Sequence, residues 1–206
     1  MINYLGRSGH YRSLAAEKHM VEFYEATLQS HWKGISYEHV YFQGKFGATH
    51  TLVVNNNSSL PIIVLLHGIC NTSLMWADIV RKLSPLFKIY CIDIIFEPGL
   101  SKCIKPITMI SECCAWLNEL LNQISGHNPV SLVGFSYGGY IAAEYTNRFP
   151  SKISKLTLIN PAATFSRTSF SHDTLLVSSL ITGSSVVVKK YFGFLCSSRK
   201  GKRIRN

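Results

Sequence analysis

In Leu132-Val133-Gly134-Phe135-Ser136-Tyr137-Gly138-Gly139 one serine stands between two glycines, each two positions away, directly after an apolar run. A serine hydroxyl is a weak nucleophile until a base draws off its proton, so its use in acyl transfer depends on what surrounds it. The segment has the G-x-S-x-G form of a tight strand-to-helix turn. There the serine takes a strained backbone conformation, and the residues two before and two after it must be small. Gly139, Ala142 and Ala143 extend that demand by letting the helix lie close on the sheet. The helix N-terminus adds N–H groups and a dipole that favour negative charge, which suits the oxyanion formed during acyl transfer. The same turn is also a packing solution, and the pattern alone does not separate the two.

A second glycine-bearing turn lies upstream, where His67-Gly68 closes the apolar run Ile62-Leu66. Gly68 lets the next loop fold over the serine, so that the Ile69 N–H joins the Tyr137 N–H as a pair of oxyanion donors. His67 is expected to fix this loop rather than serve as base, and Cys70 beside it to pack.

Both turns need strands and helices to hold them. Met20, Val21, Tyr24 and Leu28 share one helical face within residues 13–30, which predicts a flanking helix. Residues 38–43 and 49–54 read as two strands around Gly44 and Gly47, followed by a turn at residues 55–59. From Pro61 onward strands alternate with helices. Ile62-Leu66 is a continuous apolar run suited to a strand buried on both faces. A helix capped by Asn71, Thr72 or Ser73 follows, with Trp76, Ile79, Val80 and Leu83 at i, i+3, i+4, i+7. Residues 88–94 give the next strand, and Ile110, Cys113, Cys114, Leu117, Leu120, Leu121 and Ile124 stripe a helix over 108–124. A strand at 130–135, a helix at 137–148 closed by Phe149-Pro150, and a strand at 153–160 complete the alternation. This predicts an α/β fold, a mostly parallel sheet with helices on both faces.

Length and composition fit one folded domain: 206 residues, 47% hydrophobic and 16% charged. The formal charge is +10, but seven positive residues and no acid lie in 189–206, leaving only +3 on the rest. A basic end is ordinarily a solvated tail, so neither nucleic acid nor lipid is assigned as partner. The six cysteines form no CxxC pair and no zinc-like spacing, and Cys91, Cys113 and Cys114 stand where small apolar residues belong. Reduced thiols, the lack of a secretory signal pattern and the lack of a membrane-length apolar run point to a cytoplasmic protein.

His67-Gly68 after a strand, Asp93 ending the next, Glu97-Pro98-Gly99-Leu100-Ser101 beyond it, the Gly134–Gly139 turn, and Asn160-Pro161-Ala162-Ala163-Thr164-Phe165 after the following strand occur in the order of one family. Over about residues 13–195 the chain resembles the α/β-hydrolases, in particular their bacterial carboxylesterase-like members. The resemblance implies a serine esterase that acts on small-molecule esters through Ser136, without metal or organic cofactor. It gives Asp93 a supporting role for the loop.

The family's triad runs serine, then acid, then histidine. After Ser136 the only acids are Glu144 and Asp173 and the only histidine is His172. Glu144 lies two helical turns on and is carried away, while His172 and Asp173 are adjacent and in reverse order, within a region resembling the start of a cap. Asn160 occupies a position where some relatives place the acid, and an amide supplies no charge. The resemblance therefore implies an α/β-hydrolase fold that is C-terminally incomplete, stopping before the late acid and histidine through a frameshift, an early stop or a split gene. Weak or no activity is expected. The implied organisation is a helical flank over 1–34, an α/β core over 35–165, a partial cap-like region over 166–196 and a basic tail over 197–206. Leu156, Leu158 and Ile159 would then lie on an exposed sheet edge that invites association. The alternative to a weak esterase is a non-catalytic truncated remnant or interaction module.

Overall fold

The computed structural model describes Tyr11 and residues 13–162; the regions expected to form a cap and a basic tail, with His172, Asp173 and Cys196, lie outside the described residues. Ser13 accepts the Ala16 N–H and starts α1, Leu14–His31, one residue from the expected start; Tyr24 and Leu28 are its buried anchors. A hairpin follows, β1 Glu38–Gly44 and β2 Gly47–Val54. The remaining strands are β3 Ile62–Leu66, β4 Lys88–Ile92, β5 Lys102–Cys103, β6 Val130–Phe135 and β7 Ile153–Ile159. Between them lie the helices α2 Ala77–Leu83, α3 Ile110–Ser125 and α4 Tyr137–Arg148.

The sheet order is β1-β2-β4-β3-β6-β7, with β5 on β2. β4, β3, β6 and β7 run parallel to one another, and the hairpin and β5 join antiparallel, β2 pairing with both β4 and β5. Side chains alternate between two cores. Val64, Leu66, Tyr90, Ile92 and Leu132 face α3 and α4, while Ile63, Leu65, Ile89, Cys91 and Val133 face α1 and α2. This period-2 partition places helices on both faces, as the apolar runs predicted.

Two local differences have physical causes. The helix expected from residue 71 begins as a 3₁₀ turn, Ser73–Trp76, capped by the Thr72 hydroxyl. Its tighter winding shifts the phase, so Val80 is buried while Ile79 turns to solvent. The two-residue β5 is too short to leave a periodic signal.

Candidate active site

The parallel register sets Leu66 opposite both Ile92 and Gly134, so the segments leaving β4, β3 and β6 emerge side by side at one end of the sheet. Ser136 sits where β6 gives way to α4, at φ 52° and ψ −115°. A left-handed non-glycine residue costs about 1–3 kcal/mol and persists only if its surroundings hold it. Here they do: the Ser136 N–H donates to the Ile159 carbonyl at 3.0 Å, and the Ser136 carbonyl accepts from Tyr140 N–H at 3.1 Å and Ala162 N–H at 3.0 Å. The flanking glycines are required by contact. A Cβ on Gly134 would lie 2.4 Å from the Gly138 oxygen, and one on Gly138 would lie 2.4 Å from the His67 oxygen. Gly139 has a reason the sequence did not show, because a Cβ there would lie 3.0 Å from Pro161.

The loop after β3 reaches this turn. A Cβ on Gly68 would lie 3.0 Å from the Phe135 ring and 3.3 Å from the Ser136 Cβ, which puts the start of that loop against the serine. Ile69 and Tyr137 are half-buried, and among the described residues neither backbone N–H donates to a protein acceptor. His67 is fully buried with both nitrogens committed. Its Nδ1–H donates to the Gly68 carbonyl at 2.8 Å and its Nε2 accepts from Ile94 N–H at 3.0 Å. That arrangement requires a neutral ring, and burial holds its pKa below the ordinary value. His67 is thus a loop anchor with no free nitrogen for a proton from Ser136.

Asp93 is the second anchor. Its Oδ1 accepts from Ser73 N–H at 2.8 Å, and its Oδ2 from Leu100 N–H at 3.1 Å and His50 Nδ1–H at 2.8 Å. Although burial opposes the charge, the His50 bond, the nearby imidazoles and the Ser73 amide hold the carboxyl down at about 2. His50 Nε2 pairs in turn with His39 Nδ1 at 2.8 Å. The Tyr11 hydroxyl accepts from Gly99 N–H and donates to the Gly99 carbonyl, clamping the loop beyond Asp93.

The remaining candidates are not brought to Ser136. Glu144 pairs with Arg148 at 3.7 Å on the surface of α4. Asn160 is exposed at φ 45°, in the turn whose Ala162 holds the Ser136 carbonyl. Cys70, expected to pack, is exposed at φ 53°, because the loop turns left-handed there. Cys91, Cys113 and Cys114 are buried and free, as the apolar pattern predicted. The Tyr137 ring lies between Phe96 and Tyr140 with its hydroxyl beside Cys113. Burial pushes Cys113 up to about 11 and Tyr137 up to about 12, so neither ionises near neutrality. A cleft of about 530 Å³ between α1 and the turn before α2 is walled by Phe23, Leu74, Met75 and Arg81, and Ser136 is not among its walls. Among the described residues no cluster of histidine, cysteine or acid could hold a metal ion, and no helix is long and apolar enough to cross a membrane.

Sequence reasoning missed His39, His50 and Tyr11, which carried no signal beyond a polar residue in a strand or near a terminus. It quoted Glu97 only as part of a motif. The Glu97 carboxylate is buried and accepts Cys70 N–H at 2.8 Å; burial pushes its pKa up and that bond pulls it back.

Comparison with known proteins agrees with this fold. A family model described as the alpha/beta hydrolase fold matches residues 61–180. Carboxylesterase YbfK of Bacillus subtilis is 28% identical over 172 residues, covering 82% of this chain and 56% of that protein. The crystal structure of the same bacterium's carboxylesterase CesB (YbfK) superposes with a TM-score of 0.79 at 22% identity, covering 86% of this chain and 60% of that one. Its naproxen esterase superposes with a TM-score of 0.78 at 22% identity, covering 88% and 61%. The chain therefore spans less than two thirds of the length of these relatives.

Proposed function

The chain belongs to the alpha/beta hydrolase fold family, and from that premise we propose that its site is built for hydrolysis of small carboxylic esters by a serine nucleophile. Ser136 Oγ attacks the ester carbonyl, the Ile69 and Tyr137 amides take the oxyanion, and the alcohol leaves to give an acyl-serine that water then hydrolyses. The observation that carries this reading is the approach of the Gly68 loop to Ser136 at the N-terminus of α4. The carboxylesterase names of the relatives support the ester as substrate class.

The described residues offer Ser136 no base, since His67 is committed on both nitrogens and Glu144 faces Arg148. In a serine-protease template, loss of the histidine lowers kcat about 10⁶-fold, with the oxyanion site and binding leaving a small residual rate. With only the described residues to activate Ser136, we expect slow reaction. A fluorophosphonate probe should label the purified chain slowly, at Ser136, and a short p-nitrophenyl ester should turn over faintly. Both signals should vanish in Ser136→Ala. Labelling and turnover no greater than those of that variant would end the autonomous-esterase reading.

A second reading, a non-catalytic interaction module, is favoured by one observation. β7 is the last strand of the sheet among the described residues, and it leaves Thr157 and Ile159 exposed.

A further inference from the structure

Three ties join the loop after β3 to the segment after β4. At its base His67 Nε2 accepts from Ile94 N–H, and at its far end Ser73 N–H donates to Asp93. Both of these are buried anchors. Between them the tip, Ile69-Cys70, is exposed or half-exposed, and Cys70 is held left-handed at φ 53°. A turn bond from Asn71 N–H to the Gly68 carbonyl, 3.2 Å, closes the tip on itself but fixes nothing outside it. The one tie from the tip to the rest of the fold, among the described residues, is Cys70 N–H to the Glu97 carboxylate.

We propose that Glu97 is a positioning residue for the oxyanion site: by taking the Cys70 N–H it fixes the left-handed turn that aims the preceding amide, Ile69 N–H, at the oxygen of the substrate carbonyl. Three physical points support this. A buried carboxylate is costly unless hydrogen-bonded, so its retention with an amide donor ties its position to the loop. A non-glycine residue with positive φ springs back unless its surroundings over-determine it, and this bond is the external restraint at Cys70. The Glu97 segment is itself rigid, since Glu97 N–H donates to the Ile94 carbonyl and Gly99 is clamped by Tyr11. The loop after β4 thus acts as a brace for the loop after β3. Glu97 touches no reacting atom in this scheme and acts only through the Ile69 amide.

The proposal rests on the hydrolase reading, so its test uses two readouts on the full chain. The first is amide hydrogen exchange and the ¹H–¹⁵N spectrum. Glu97→Ala should expose the Cys70 N–H to exchange and shift Ile69 and Cys70, while Glu97→Gln, which keeps a carbonyl acceptor, should stay close to the parent. The second is Ser136 reactivity. Glu97→Ala should lower the maximal rate of fluorophosphonate labelling, or kcat on a p-nitrophenyl ester, by about 10- to 100-fold with KM changed less than twofold, and Glu97→Gln should restore most of it. A parent chain that reacts no faster than Ser136→Ala removes the hydrolase reading. A reactive parent whose Glu97→Ala variant keeps its rate within twofold, or a Cys70 amide equally protected in all three proteins, overturns the Glu97 assignment.

Discussion

Alanine at Gly138 would set a methyl 2.4 Å from the His67 oxygen and 2.5 Å from the Leu66 oxygen, both backbone atoms that move only if β3 moves. Alanine at Gly126, at φ 63°, would meet no atom within 4 Å and would carry only left-handed strain. The two substitutions therefore separate clash from conformation. Urea unfolding should show Gly126→Ala losing about 1–3 kcal/mol, as for any side chain in that sparsely populated region, and Gly138→Ala losing more, about 3 kcal/mol or above, the upper range for forced overpacking. Equal losses would mean that α4 and β3 move apart to admit the methyl at Gly138, which has no left-handed backbone to strain. The glycines were legible in the sequence because a tight turn demands missing side chains at fixed spacing, a local requirement. Glu97 was not: its partner Cys70 is 27 residues away, and no local pattern announces that a loop acid will reach an amide there.

At the scale of elements, one polar network stitches the hairpin to the parallel sheet through the helix-facing core. Asp93 is ionised and can only accept, so His50 Nδ1–H donates to it and His50 Nε2 is left to His39. Removing the carboxylate in Asp93→Ala strands the Ser73 and Leu100 amides and the His50 N–H, at about 1–3 kcal/mol each. A loss of at least about 3 kcal/mol is expected, read by urea or thermal unfolding; a smaller loss would mean that these donors find other acceptors. The pH dependence has a definite sign. Burial and His50 depress His39 from 6.5 to about 4, so the unfolded chain takes that proton first and stability falls as pH drops from about 6.5 to 4. Asp93 lies at about 2 against an ordinary 3.8, so its contribution is intact above 3.8 and is lost on further acidification toward 2. Melting temperatures at pH 7, 5 and 3.5 should decline in that order, and His39→Gln should reduce the step between 7 and 5, the remainder coming from the buried His67. A flat profile would contradict the network. The strands and helices on either side were readable from apolar runs and the stripe of α3, because burial on one or two faces imposes a period. A histidine inside β2 breaks that period without saying why, since its partner lies 43 residues further on.

For the molecule as a whole, the question is what one side of the sheet does. β1 ends one side as a hairpin strand with its neighbour antiparallel, whereas β7 ends the other, among the described residues, as a parallel strand whose outer backbone groups form an edge. Leu156 and Leu158 are half-buried against α4, and Lys155, Thr157 and Ile159 alternate with them on the exposed face. Edge strands that carry inward apolar residues and only one outward charge pair readily with another edge, while lysines on such an edge oppose pairing. If the interaction-module reading holds, sedimentation should give an apparent mass that rises above 23.1 kDa with concentration. Thr157→Lys with Ile159→Lys should return it toward the monomer while far-UV circular dichroism stays unchanged. Because Ile159 also accepts the Ser136 N–H through its backbone, a side-chain exchange there leaves that bond in place. Slow Ser136 labelling should accordingly survive in the double variant, which separates the edge from the elbow. A constant monomer mass in the unaltered chain, at concentrations up to the solubility limit, would remove the edge from consideration and leave the esterase reading to stand or fall on Ser136 alone.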